Sequence, residues 1–268
     1  LIHGPRTVHQ RNPIAGAAVT FTAASLTTDA QGLFSQASSA AIPRLVIEAI
    51  AANYEPLYGV TEVLGTVPSV SILRLTPYGT TAAVTPASGG SVPDASSGAA
   101  VILPSSSLQG VGGGLPPSTV DVRVSPVNVG SDSNLLSGDY TDGGGTLLQS
   151  FGAVVITPST ELEVVAGQTL TLRVPVSTRS ATTPSSATLY YFDSDTGRWV
   201  ADGTATLVSG ATPYYEASIT RFAQWMVGSA VNSPVTVTGC VVDDTGAPAA
   251  NVRMAGDGAS AGLLHVPE

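Results

Sequence analysis

Lysine is missing from the chain, whose ten cationic residues are all arginine, set singly between Arg6 and Arg253. That absence excludes Schiff-base catalysis, a phosphate-binding P-loop lysine and a lysine-to-asparagine crosslink. Cysteine occurs once, at Cys240, so neither an internal disulfide nor a thiolate metal cluster can form. Histidine occurs only at positions 3, 9 and 265, which leaves the body of the chain without the base that a Ser-His-Asp or Cys-His site requires. No cofactor is expected. A net charge of −9 with no basic stripe argues against nucleic acid as a partner. No apolar run reaches the length of a membrane helix, so no membrane insertion is expected. The N-terminus shows no pattern of basic, then apolar, then small residues, so a soluble and already processed chain is expected.

What the 268 residues do contain is Gly, Pro, Ser, Thr, Val and Ala, with few charges. That composition favours strands over helices, and the length leaves room for two domains. Period-two alternation recurs throughout. Leu45, Ile47, Ala49 and Ala51 share one strand face, and "SVSILRLTP" (69–77) reads as a further strand. Val154 and Ile156 share another face, as do Leu170, Leu172, Val174 and Val176. In "YYFDSDTGRWV" (190–200), Asp193 and Asp195 look at first like a calcium loop. A hairpin whose turn closes at Gly197 explains them with less. "QGVGGGLPPS" (109–118) lacks both the lysine and the helix of a phosphate cradle and reads as a loop. Trp199, Phe222 and Trp225 are read as core anchors, with an aromatic sugar-binding platform as the sharper alternative.

An internal repeat organises the ends of the chain. "IHGPRTVHQRNPIAGAAVTF" from Ile2 aligns without a gap on "VTGCVVDDTGAPAANVRMAG" from Val237. Gly4 meets Gly239 and Pro13 meets Pro248, while Ala17 and Val19 meet Val252 and Met254. In the first copy a polar turn, "TTDAQGLF" with Gly32 at the tight position, leads into the strand through Leu45. The pattern predicts a small sandwich of hairpins over 1–77, a larger one over 78–231, and over 232–268 a partial repeat of the first. The expected fold is therefore all-β: two β-sandwich domains in tandem plus the strand segment of an incomplete third.

The repeated residues resemble the carboxypeptidase regulatory-like, or transthyretin-like, sandwich family. The second copy carries that pattern through Val237, Gly239, Val241, Asp243, Gly246 and Pro248. The first carries it through Pro13, Ala17, Val19, Thr28, Asp29, Gly32, Phe34 and Tyr54, with Asn53 where glycine is usual. Asparagine tolerates positive φ better than most residues, so the exchange is mild. "PRTVHQR" (5–11) departs from the clean apolar strand of the family.

Four blocks of the middle region, at 89–108, 151–177, 187–207 and 214–228, resemble the bacterial extracellular module related to ZU5 and cartilage-intermediate-layer sandwiches. Some relatives of ZU5 cleave themselves at a His-Phe-Ser step. The matching residues here are Arg221, Phe222 and Ala223, without base or nucleophile, so self-cleavage is not expected.

Two function classes fit. The first is a non-catalytic extracellular or cell-surface protein, structural or adhesive, forming a stalk, layer or filament; repetition of one module makes length without a site. The second is a carbohydrate-binding or accessory module of a secreted hydrolase. The expected partners are further copies of the chain, joined head to tail, together with a surface glycan or a protein ligand. For the assembly strand the candidates are Val235, Val237, Gly239, Val241 and Asp243. The candidate acceptor edge is Ile2, Gly4 and Val8, next to Pro5, which cannot donate to a ladder. The other reading of 235–268 is simply the opening of a third repeat.

Overall fold

A computed structural model describes residues 12–21, 24–37, 41–63, 69, 71–233 and 239–249. The chain is all-β, and its strands fall into two principal sheets. The N-terminal sheet has four antiparallel strands: β1 (Ala18–Phe21), β2 (Ala24–Thr27), β3 (Ile42–Ile50) and β4 (Leu57–Val63), in the order β2-β1-β3-β4. Leu45, Ile47 and Ala49 of β3 and Ala51 just beyond it are all buried, as their spacing predicts. Leu45 and Ile47 pack with Val19, Phe21, Phe34, Val63 and Leu73 in a small core.

Past Gly79 the chain enters a ten-stranded sheet. Its strands on the N-terminal side are β5 (Thr80–Val84), β6 (Gly90–Pro93), β7 (Ala100–Leu103), β9 (Val120–Val127) and β10 (Leu148–Pro158). The remainder are β12 (Leu170–Pro175), β13 (Ser186–Asp193), β14 (Arg198–Val208), β15 (Tyr214–Ile219) and β16 (Gln224–Ala230). Two short strands, β8 (Leu108–Gly110) and β11 (Leu162–Val164), pair separately. The ten run in the order β5-β9-β10-β16-β13-β14-β15-β12-β7-β6. The first and last strands of that order meet through the turn at Thr85 to Gly89, so the sheet folds back on itself. Its inner face encloses one core that includes Val154, Ile156, Leu170, Leu172, Val174 and Trp225.

The outer face is also partly buried. Ala153 and Val155, which point away from the inner core, pack with Leu136, Tyr140, Phe192, Trp199 and Met226. A sequence that buries both faces of a strand reads as a continuous apolar run. "FGAVVI" (151–156) in β10 is such a run, and all six residues are buried.

The turn expected at Gly32 forms, and two further turns share its chemistry. Asp29, Asp142 and Asp243 each begin an identical hairpin turn, in which the glycine three residues on donates to the aspartate carbonyl. Each aspartate Oδ1 accepts main-chain N–H groups two and four residues ahead. Gly32, Gly145 and Gly246 hold φ of +71°, +81° and +84°, the left-handed position after a type I turn. Asn53 sits at φ +69°, in line with its tolerance of that region. Of the segment read as a loop over 109–118, Gln109 and Gly110 instead end β8, and the rest is a loop that opens with one short 3-10 turn. Residues 71–76, expected as a strand, belong to no ladder among the described residues.

Candidate functional site

The two sheets meet along a polar seam built by arginines. Outward-facing residues of β3 and β4, namely Arg44, Val46, Tyr58 and Val60, approach the β13–β14 hairpin and the 132–139 loop. Arg44 grips its surroundings with most of its donors. Nη1 and Nη2 bond Asp139 at 2.6 and 3.1 Å, Nε donates to the Thr196 carbonyl at 3.0 Å, and Nη2 also reaches the Gly197 carbonyl at 2.7 Å. A planar guanidinium suits this task because its donors are fixed in a fork. Gly197 has φ +66°, and a β-carbon there would lie 2.8 and 2.9 Å from methyls of Val60 and Val46. The turn can dock this closely only with glycine at its tip.

The second clamp is internal. Glu55 is 1% exposed and reaches into the large sheet, where Arg123 Nε and Nη2 donate to it at 2.5 and 3.1 Å. Ser125 Oγ donates at 2.6 Å and Thr157 Oγ1 at 3.3 Å. Burying a carboxylate is costly unless it is paired and hydrogen-bonded, and here both conditions are met. Tyr78 stacks on Arg123, with the guanidinium carbon 3.5 Å from the ring centre. A third pair, Arg74 to Asp132 at 2.5 Å, extends the seam. Main-chain bonds add to it: Gly138 N donates to the Tyr58 carbonyl at 2.6 Å and Tyr58 N to Ser137 Oγ at 3.1 Å. These two bonds occupy part of the outer edge of β4. Tyr58 also stacks on Phe192, ring centres 5.5 Å apart.

The electrostatics are those of a fastening. Burial alone would raise the Asp139 carboxyl, but hydrogen bonds from Arg44 and Thr141 and the charge of Arg44 outweigh it and hold the group below the usual carboxylate range. Asp132 is lowered in the same way: burial opposes, while bonds from Asn134 and Arg74 prevail. The Tyr58 hydroxyl is pushed up, first by burial and then by the hydrogen bond and charge of Glu48.

A cleft of about 500 Å³ opens beside the Arg44 clamp, lined by Arg44, Val46, Gly143, Asp193, Asp195, Thr196, Arg198 and Val200. Most of its charged groups are already engaged. Asp193 caps its own turn, accepting from Asp195 N and Thr196 Oγ1, so the hairpin reading of Asp193 and Asp195 holds. Arg198 Nη1 donates to Thr141 Oγ1 and the Asp142 carbonyl. Among the described residues no three His, Cys, Asp or Glu side chains gather as metal ligands would.

The residues singled out by sequence fall elsewhere. Ile2, Gly4, Val8, Val235 and Val237 lie outside the described residues. Gly239 and Asp243 are exposed, and Asp243 heads the turn already described, with Val242 bridged to Pro248. Arg221, Phe222 and Ala223 form the corner between β15 and β16. Arg221 there lies over the Tyr191 ring at 4.1 Å and 3.4 Å from Asp202, and the Ala223 carbonyl accepts from Ile156 N. Trp199 and Trp225 are fully buried and Phe222 half-buried, which places them as core anchors. The partly exposed rings Tyr78, Tyr191 and Tyr214 each carry an arginine over one face.

Sequence reading missed the seam, although one signal pointed to it. A chain that uses arginine for every cation is suited to bidentate pairs, and all seven arginines among the described residues bond to, or lie against, a carboxylate, a hydroxyl or a carbonyl. Compared with protein-family profiles, with curated proteins and with solved structures, the chain finds no match.

Proposed function

We propose that the chain is a non-catalytic extracellular structural or adhesive protein, a subunit of a surface stalk, layer or filament that assembles through strand contacts. Its N-terminal region is a carboxypeptidase regulatory-like sandwich and its large region a ZU5-like one. The observation that carries this reading is the seam: Arg44, Arg74 and Arg123 join the two regions through three carboxylates and several main-chain bonds. Modules joined by flexible linkers swing independently, whereas a seam of three partly buried ion pairs, two of them bidentate, makes them one stiff unit. Stiffness along an array is what a stalk or filament needs and what a binding module on a tether does not.

Two measurements test the reading. Immunogold labelling of the source cells is expected to place the protein on surface structures, and label confined to the cytosol overturns it. Negative-stain images of the purified chain are expected to show strings or filaments as concentration rises.

A further inference from the structure

We propose that the segment Ser71–Thr76 is a strand acceptor, completed by residues 237–243 of a second copy of this chain. The inference rests on the assembly reading above and adds where and by what the contact is made.

"SILRLT" (71–76) has the alternation of a strand. Leu73 packs into the N-terminal core and lies over Gly59, while Ile72, on the other parity, is 48% exposed. The segment thus lies against its own sheet as the first strand of a second layer would. Yet the main-chain groups of Ser71, Ile72, Leu73, Arg74 and Leu75 bond to no other described residue, and the one main-chain bond of the segment is Glu55 N to the Thr76 carbonyl. Main-chain N–H and C=O groups without a partner among the described residues, on a segment with the alternation of a strand, are a template for another strand.

The sequence carries two versions of a segment that could fill this berth, since residues 2–8 and 237–243 occupy the same place in the internal repeat. The first version contains Pro5, which cannot donate to a ladder, followed by Arg6. The second, "VTGCVVD", has no proline and no positive charge. It has seven residues for an acceptor of six, which at about 3.3 Å per residue matches in length. In it Val237, Gly239 and Val241 share one face, suited to the Leu73 and Leu75 side; Thr238 and Cys240 share the other, the side of Ile72. The donor strand of one copy and the acceptor of the next are different surfaces, so the contact repeats head to tail.

The native cysteine allows a direct test in the full chain. Ile72→Cys is expected to give disulfide-linked oligomers through Cys240 under mild oxidation, with mixed isotopic labelling showing that the link joins two copies. Leu115→Cys, on an exposed loop, is expected to give none. In parallel, Val237→Pro is expected to weaken assembly at least tenfold in sedimentation, while buried-tryptophan emission stays unchanged. A link within one copy overturns the proposal, as does a Val237→Pro protein that assembles like the parent. If the parent assembles and the berth variants do not matter, only the berth is wrong. A parent that stays monomeric at every concentration overturns the assembly reading as well.

Discussion

The two sheets solve the problem of a strand edge in opposite ways. The ten-stranded sheet is self-sufficient: it turns back on itself through the Thr85 to Gly89 corner and fills its interior with its own side chains. The four-stranded sheet is dependent. Among the described residues its core has Val19, Leu45 and Ile47 at its centre, the edge of β4 is met by Ser137 and Gly138 of the other region, and its buried Glu55 finds its counter-ion there. A small sheet buries little of its own surface and is marginal alone. The seam therefore does for the N-terminal region what the interior does for the large one.

Both tryptophans lie in the large region, so their emission reports that region alone, while far-ultraviolet dichroism reports both. Trp225→Ala is expected to have the largest effect, about 3–5 kcal/mol. Because the seam then loses its platform, both signals should fall together; survival of the N-terminal strands would show that they do not need the large sheet. Glu55→Gln is expected to cost about 2–3 kcal/mol by leaving Arg123 without its counter-ion. Here the dichroism should show an early partial transition while tryptophan emission keeps the parental midpoint. A single coincident transition would mean that the two regions unfold as one.

Gly197→Ala is expected to cost about 1–2 kcal/mol, since the turn must keep positive φ against the methyls of Val46 and Val60. Chemical-denaturation midpoints of the first transition measure it. Acid should act on the same seam. Asp139 and Asp132 are held below their ordinary values, so the stability they contribute is complete above the unfolded carboxylate value of about pH 4. It is lost as pH falls through the lower folded values. Tyrosine emission and dichroism should therefore report loosening of the N-terminal region in that range, before the tryptophans respond. The smallest effect is expected on the outer face of the large sheet. There Arg173→Ala removes an exposed pair with Glu216, and its midpoint should stay within about 0.5 kcal/mol of the parent.

Periodicity made much of the fold legible. The faces of β3, β10 and β12 follow from side chains two residues apart, and the hairpin at Asp193 to Gly197 follows from its turn residues. The turns headed by Asp29 and Asp243 form where the aspartate and glycine spacing puts them. Such features depend on neighbours within a few residues, and those neighbours are written in order along the chain. Trp199 and Trp225 were legible as core for a similar reason, since large rings leave water wherever a core exists. By contrast, 71–76 has the pattern of a strand and lacks a ladder among the described residues, because alternation specifies a strand face and a ladder also requires a partner.

The seam was decided by tertiary structure alone. Arg44 and Asp139 are 95 residues apart and Glu55 and Arg123 are 68 apart, and no local pattern marks one carboxylate over another as the counter-ion. Ala153 and Val155 show the same limit within one strand. Their apolar side chains indicate that the outer face of β10 is covered, but the cover itself comes from Leu136, Tyr140 and Trp199. Composition determined that the chain would be all-β and that its cations would be arginines able to bind in pairs. Which carboxylate each arginine took depended on the approach of two sheets, because a charge selects its partner by distance and desolvation in the folded chain rather than by position along it.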